Sequence, residues 1–147
     1  MNFNDYLLST IEIAEEEKEI LDMLSPKEVL SPIELRASKN SLQVMIENMI
    51  GKSKRILKHY NCLIIPQRSK DALNFLYELG ALEDEEYQAL SSAIGFRNSM
   101  IHDYMKFDKK VLFIILKEQK YNDIYNFLMK EPNYSDVVIR RIENYTF

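Results

Sequence analysis

Residues that interrupt helices are scarce in this chain. Three glycines and four prolines stand among 147 residues, so long stretches lack the residues that most often end a helix. A fold of many short strands needs frequent turns, whereas a helical fold needs few. Hydrophobic residues make up 46% of the chain, which is enough to form a single buried core. The sequence therefore predicts one all-α domain built from a few long helices.

Hydrophobic periodicity locates the helices. The longest predicted helix carries apolar residues every seven positions, at Leu35, Leu42, Met49 and Ile56, and this seam is typical of helices that pack against antiparallel neighbours. Including that helix, apolar spacing predicts helices over residues 3–24, 32–59, 69–79, 83–97 and 108–130. These elements indicate an up-and-down bundle of four or five helices.

Two capping-box patterns stand in succession between the first two helices. Ser25-Pro26-Lys27-Glu28 is predicted to start a short helical turn, and Ser31-Pro32-Ile33-Glu34 is predicted to start the long helix. The helical domain is predicted over residues 1–131. Residues 132–147 form a C-terminal tail, in which the segment 137–142 fits either a strand or a helix.

The chain is acidic, with a net charge of −4, but its charges are segregated. Residues 12–22 are strongly acidic, whereas no acidic residue occurs between Asn48 and Lys70. A basic patch on an acidic protein can engage phosphates, and it can equally be a solvated helix face. The candidate RNA-binding residues in this basic segment are Lys52, Lys54, Arg55 and Lys58.

The sequence predicts a cytoplasmic protein. The single cysteine, Cys62, cannot form an internal disulfide, which fits a reducing compartment. The first eight residues carry no basic segment followed by an apolar core, so no secretory signal is expected. The apolar run 111–116 is far too short to span a membrane.

Residues 97–104, Arg-Asn-Ser-Met-Ile-His-Asp-Tyr, carry the strongest functional signal. Metal-independent cleavage of RNA needs a base for the 2′-hydroxyl proton, an acid for the 5′-oxygen and a cation for the charge that develops on phosphorus. His102 can exchange protons, Arg97 can bind a phosphate in a bidentate manner, and Asn98 can orient the imidazole or the 2′-hydroxyl. These three residues are the candidate catalytic residues.

Two geometric problems accompany this motif. On an ideal helix Arg97 and His102 lie about 140° apart, so we expect either a helix break between them or a groove that both residues line. One histidine cannot act as base and acid at the same instant, and His59, the other histidine, lies on a different helix. A two-fold dimer would bring two copies of His102 to one groove. This arrangement predicts a homodimer and an inactive monomer.

The spacing of Arg97, His102 and Tyr104 resembles the Arg-x4-His-x-Tyr signature of HEPN-domain proteins, and the chain is most similar to their HepT-type toxins. The segments 65–72 and 94–98 are also similar to that family, and Glu47 stands where its long helix often carries an acidic residue. The resemblance covers roughly residues 5–130.

The resemblance implies a HEPN-like α-helical homodimer that acts as a metal-independent endoribonuclease toxin without a cofactor, with Arg97 and His102 catalytic and Asn98 supporting them. It also implies a partner antitoxin, a minimal nucleotidyltransferase that silences the toxin by adding AMP from ATP to the motif tyrosine, here Tyr104.

Other interpretations of the same residues remain open at this point. Arg97 can pair with Asp103 or with a carboxylate on another helix, and His102 taken alone fits a structural histidine. A metal site formed by His102, Asp103 and Glu47 lacks a second histidine at ligand spacing, so no metal site is expected. The alternative function is a non-catalytic helical subunit that binds substrate for a nucleotidyltransferase.

Overall fold

The computed structural model describes residues 1–102 and 107–145, and it contains seven helices and no strand within those residues. The helices are α1 (Phe3–Leu24), α2 (Pro32–His59), α3 (Asp71–Glu78), α4 (Asp84–His102), α5 (Lys109–Lys117), α6 (Tyr121–Met129) and α7 (Asp136–Glu143). The all-α class is confirmed, whereas the predicted count of four or five helices is too low. No helix in the described part of the chain is both long and apolar enough to cross a bilayer.

Helix α2 lies at the centre of the bundle, in contact with α1, α3, α4 and α6. The predicted seam is confirmed, since Leu42, Met49 and Ile56 are almost completely buried and Leu35 packs at the edge of the core. Helix α1 runs antiparallel to α2, because Phe3 at its start stacks on His59 at the end of α2. Burial of this seam by four neighbouring helices holds the bundle together.

Only one of the two capping boxes begins a helix. The Ser31 side chain accepts from the Glu34 amide at 3.1 Å, and the Glu34 carboxylate accepts from the Ser31 amide at 2.9 Å. Pro32 occupies the first turn between them. The segment 25–28 forms no helix, contrary to prediction, because the Ser25 hydroxyl donates instead to the Leu116 carbonyl at 2.7 Å and Ser25 ends α1.

The predicted helix over residues 108–130 is wrong, since two helices, α5 and α6, occupy this region. The break falls at Gln119, whose φ of 51° lies in the left-handed region. The four residues at this break are all polar and include no glycine or proline: Lys117, Glu118, Gln119 and Lys120. Leu116 of α5 and Ile124 of α6 both reach the core on either side of this turn.

The tail after Pro132 includes a helix and packs against α3. Ile142 of α7 is fully buried, and the Tyr145 ring lies 4.3 Å from that of Phe75. Gly80, which follows α3 with a φ of 86°, leaves room for the tail, since an added Cβ would lie 3.2 Å from Arg141 Nη1. The segment 137–142 is therefore helical, which settles the choice left open by the sequence.

Lys52 is a buried cation that joins α2 to the end of α6. Its residue is only 1% exposed, and its Nζ donates to the carbonyls of Phe127 at 2.6 Å, Leu128 at 3.2 Å and Lys130 at 2.6 Å. These carbonyls lie at the C-terminal end of α6, where backbone acceptors lack partners within the helix. Burial lowers the pKa of Lys52 from 10.5 to about 8, and nearby Glu86 opposes this shift.

We expect Lys52→Met to lower the free energy of unfolding by about 1.5–6 kcal/mol. The pKa shift corresponds to about 3 kcal/mol of unfavourable burial, whereas three hydrogen bonds from a charged group are worth about 1.5–3 kcal/mol each. Urea denaturation at pH 7 measures the difference. Lys58→Met, at an exposed position of the same helix, is the matched control and should change stability by less than about 0.5 kcal/mol. Equal stability of the two variants would contradict the role assigned to Lys52.

Candidate active site

The motif lies on the last turns of α4. The helix continues without a break through Arg97 and Asn98 to His102, so the expected helix break is absent. The other expectation, a groove lined by both residues, is met, because Arg97 and His102 line one surface cavity. Tyr104 and Asp103 lie outside the residues that the structure describes.

The cavity has a volume of about 550 Å³ and lies where three segments meet. Helix α4 supplies the motif side of the cavity, α2 supplies the opposite side, and the loop before α3 closes one end. The lining residues are Glu47, Ile50, Gly51, Lys54, Gln67, Ser69, Arg97, Asn98 and His102. Most of these side chains are polar, and the site can therefore hold a charged group.

Arg97 is held from two sides. Its Nη1 donates to Asn98 Oδ1 at 3.2 Å, and its Nη2 lies 3.5 Å from Glu47 Oε1. The Arg97 side chain is only 22% exposed, whereas that of Glu47 is 45% exposed. The contact with Asn98 is at the upper end of hydrogen-bond lengths and that with Glu47 is longer, so they orient the guanidinium without using its full donor capacity. Asn98 thus contacts the arginine, a role that the sequence did not predict.

The electrostatics of the cavity favour an anion. Arg97 and Lys54 are cations, and Glu47 is the single carboxylate among the lining residues. Lys54 is positioned by its Nζ, which donates to the Gln67 carbonyl at 2.8 Å and ties α2 to the loop. His102 is exposed at the end of α4, where it can exchange protons with a bound molecule. A fork of donors, a second cation and an imidazole around one cavity suit a phosphate group.

The four candidate RNA-binding residues do not share one surface. Lys54 lines the cavity and Lys58 is exposed, but Lys52 points into the core. The expectation for Lys52 is therefore wrong, because its three donors are used by backbone carbonyls. Arg55 lies beside the Tyr6 ring and donates to the Met1 carbonyl.

Sequence reasoning missed two polar residues of the cavity. Gln67 and Ser69 enter it from the loop before α3, and they fall in the segment 65–72 that resembles the HepT-type toxins. No spacing rule connects this loop to residues 97–102, so nothing in the sequence indicated that Gln67 and Ser69 lie beside the motif. Across residues 1–102 and 107–145, no three His, Cys, Asp or Glu side chains converge in a way that could hold a metal ion.

Comparison with known proteins identifies the family. Residues 10–131 match the family model described as Ribonuclease HepT-like. The chain belongs to the ribonuclease HepT-like family. This HepT-like protein is also 28% identical over 103 residues to a protein of Archaeoglobus fulgidus named as a candidate RNase, a match that covers 69% of this chain and 76% of the relative.

Two solved structures share the fold of this HepT-like protein. A crystal structure of a toxin–antitoxin with AMP-PNP has a TM-score of 0.73 at 19% identity, covering 94% of this chain and 99% of the other. A rebuilt and re-refined structure of the tri-AMPylated Shewanella oneidensis HEPN toxin with its MNT antitoxin has a TM-score of 0.75 at 19% identity. The match covers 87% of this chain and 96% of the other. The HepT-like protein therefore has the HEPN fold, as the motif indicated.

We expect Glu47→Gln to strengthen the binding of inorganic phosphate to the cavity by up to about fivefold, because an exposed ion pair is worth up to about 1 kcal/mol. The substitution removes the carboxylate that competes for Arg97 and keeps the shape of the side chain. Isothermal titration calorimetry measures the dissociation constant. Glu143→Gln, an exposed position on α7, controls for net charge. If both variants bind phosphate equally, Glu47 does not compete for the guanidinium.

Proposed function

We propose that this protein is a metal-independent endoribonuclease, and that the cavity of Arg97, Asn98 and His102 is its active site. The observation that carries the proposal is that Arg97 and His102, although about 140° apart on an ideal helix, line one open cavity. Membership of the ribonuclease HepT-like family supports it. RNA is the substrate because its 2′-hydroxyl supplies an internal nucleophile.

The proposed reaction is an attack of the 2′-oxygen on the adjacent phosphorus. Neutral His102 takes the proton of the 2′-hydroxyl, and the bond from phosphorus to the 5′-oxygen breaks. The leaving 5′-oxygen takes a proton from an acid, and the products end in a 2′,3′-cyclic phosphate and a 5′-hydroxyl. Arg97 stabilises the charge that develops on the phosphate oxygens, and Asn98 holds the guanidinium in place.

The acid is the second copy of His102 in a homodimer. His102 is exposed at the end of α4, and Ile101 beside it is a 38% exposed aliphatic residue. A two-fold contact near this end of α4 would place both copies of the motif around one groove. The active species is therefore proposed to be a dimer.

Regulation is proposed to act on Tyr104. The HEPN toxin of Shewanella oneidensis is tri-AMPylated in its complex with an MNT antitoxin. In this chain a cognate nucleotidyltransferase would let the Tyr104 oxygen attack the α-phosphorus of ATP, with pyrophosphate as the leaving group. Tyr104 follows His102 by two residues, so each added AMP brings a negative phosphodiester close to Arg97. That charge pairs with the guanidinium and repels RNA, which makes the protein a toxin silenced by its antitoxin.

We expect His102→Ala to lower the rate of RNA cleavage by about 10²–10⁴-fold, the range for loss of a general acid–base group. Cleavage is followed on a labelled RNA with EDTA present, and the ends are tested for 2′,3′-cyclic phosphate. Arg140→Ala, at an exposed position on α7, controls for the loss of an ionisable side chain outside the cavity. If the wild-type dimer leaves RNA intact while it binds a nucleotidyltransferase, the protein is a non-catalytic substrate-binding subunit and the nuclease proposal fails.

We expect incubation with the cognate nucleotidyltransferase and ATP to add AMP to the wild-type chain and none to Tyr104→Phe. Intact-protein mass spectrometry detects the adducts, and the modified wild-type protein should lose its RNA cleavage. Tyr125→Phe, on α6, is the matched control and should be modified like the wild type. Adducts on Tyr104→Phe would show that another residue is the acceptor.

A further inference from the structure

A basic strip leads away from the cavity along one side of α2. Gly51, Lys54 and Lys58 follow one another at helical spacing, and the first two line the cavity. Lys58 is exposed, and α2 carries no acidic residue after Glu47 in the chain. Phosphates that continue from a chain bound at Arg97 would meet these cations.

An aromatic pair lies just beyond Lys58, at the last residue of α2 and about 100° around the helix from Lys58. The His59 ring stacks on the Phe3 ring of α1 with a centroid distance of 3.9 Å and an angle of 9° between the planes. Tyr60 contacts the His59 ring edge-on at 4.8 Å. His59 is exposed, whereas Phe3 is partly buried against the core. The imidazole is thus an exposed ring whose orientation is fixed by the Phe3 ring on which it stacks.

Tyr6 of α1 contacts the basic strip on the side that faces α1. The Tyr6 ring lies 5.2 Å from the Arg55 guanidinium, and the Tyr6 hydroxyl would be 3.1 Å from a Cβ on Gly51. The glycine therefore permits a close approach of α1 to α2 beside the cavity. This contact sets the position of Phe3, one turn before Tyr6, on which the orientation of His59 depends.

We propose that Lys54, Lys58 and the His59–Phe3 stack form a binding subsite for single-stranded RNA, called here the stacking subsite. The inference rests on the proposed nuclease function and extends it beyond the cleaved bond. A base stacks on His59, and the lysines contact the phosphates between that base and the cavity. Aromatic stacking accepts any base, so the subsite adds affinity without selecting a sequence.

The dimensions of the strip fit a short length of RNA. Glu47, which contacts Arg97, and His59 are twelve residues apart on α2, which corresponds to roughly 18 Å. A stacked strand of about five nucleotides spans this distance at ~3.4 Å each. An oligonucleotide confined to the cavity cannot reach His59, whereas one that extends past it by five or more nucleotides can.

The test measures RNA affinity in a His102→Ala background, which prevents cleavage. Fluorescence anisotropy compares a trinucleotide with a twelve-nucleotide unstructured RNA. We expect His59→Ala to raise the dissociation constant of the longer RNA by about 5- to 100-fold. The dissociation constant of the trinucleotide should change by less than about twofold. His59→Phe, which keeps a ring, should restore affinity, and Lys58→Ala should reduce the salt dependence by about one phosphate contact. Arg140→Ala, an exposed cation on α7, is the control.

The outcomes separate this inference from the proposed function. If the wild type cleaves RNA but His59→Ala binds the longer RNA like its parent, the stacking subsite is wrong and the nuclease stands. If RNA is bound with the predicted dependence on His59 but never cleaved, the subsite stands and the nuclease proposal fails. If His59→Ala weakens only the complex with a protein partner, the surface is a protein contact and the inference is overturned.

Discussion

The packing of α2 against four other helices is the constraint on which the rest of the structure depends. Its apolar seam is buried by α1, α3, α4 and α6, so the orientation of α2 about its own axis is fixed. Once that face is fixed, Glu47 and Lys54 must point towards the end of α4, where Arg97 lies. The geometry of the cavity thus follows from the core. A substitution that rotates α2 would displace one wall of the cavity without touching the motif.

The sequence was most informative where local chemistry decides the structure. Periodicity located α1 and α2 within one or two residues, and the Ser31–Glu34 box identified the start of α2. The sequence-based predictions failed where long-range contacts decide the local conformation. The turn at Gln119 has no glycine or proline to mark it, and Ser25 finds a carbonyl 91 residues away in place of a local helical turn. Lys52 looked like part of a basic surface because its partners, the carbonyls at the end of α6, cannot be seen in a sequence.

The candidate site shows the same division. The motif on α4 was visible because its residues are close in the chain, but a single helix cannot direct Arg97 and His102 to one point. The structure resolves this difficulty with an open cavity that both side chains line. The remaining walls come from α2 and from the loop carrying Gln67 and Ser69. Their participation depends on tertiary packing, for which the sequence offered no spacing rule.

Charge segregation reconciles an acidic protein with the polyanionic substrate proposed for it. The net charge of −4 would repel RNA if it were evenly spread, but the acidic residues of α1 are concentrated in 12–22. Because α1 and α2 are antiparallel with Phe3 beside His59, residues 12–22 lie beside the middle of α2, at roughly residues 40–50, whereas Lys54 and Lys58 lie nearer its end. At physiological salt, charges more than about 8 Å apart are largely screened, so RNA near the cavity responds mainly to the local cations. The acidic stretch of α1 is therefore compatible with the RNA binding proposed for the cavity.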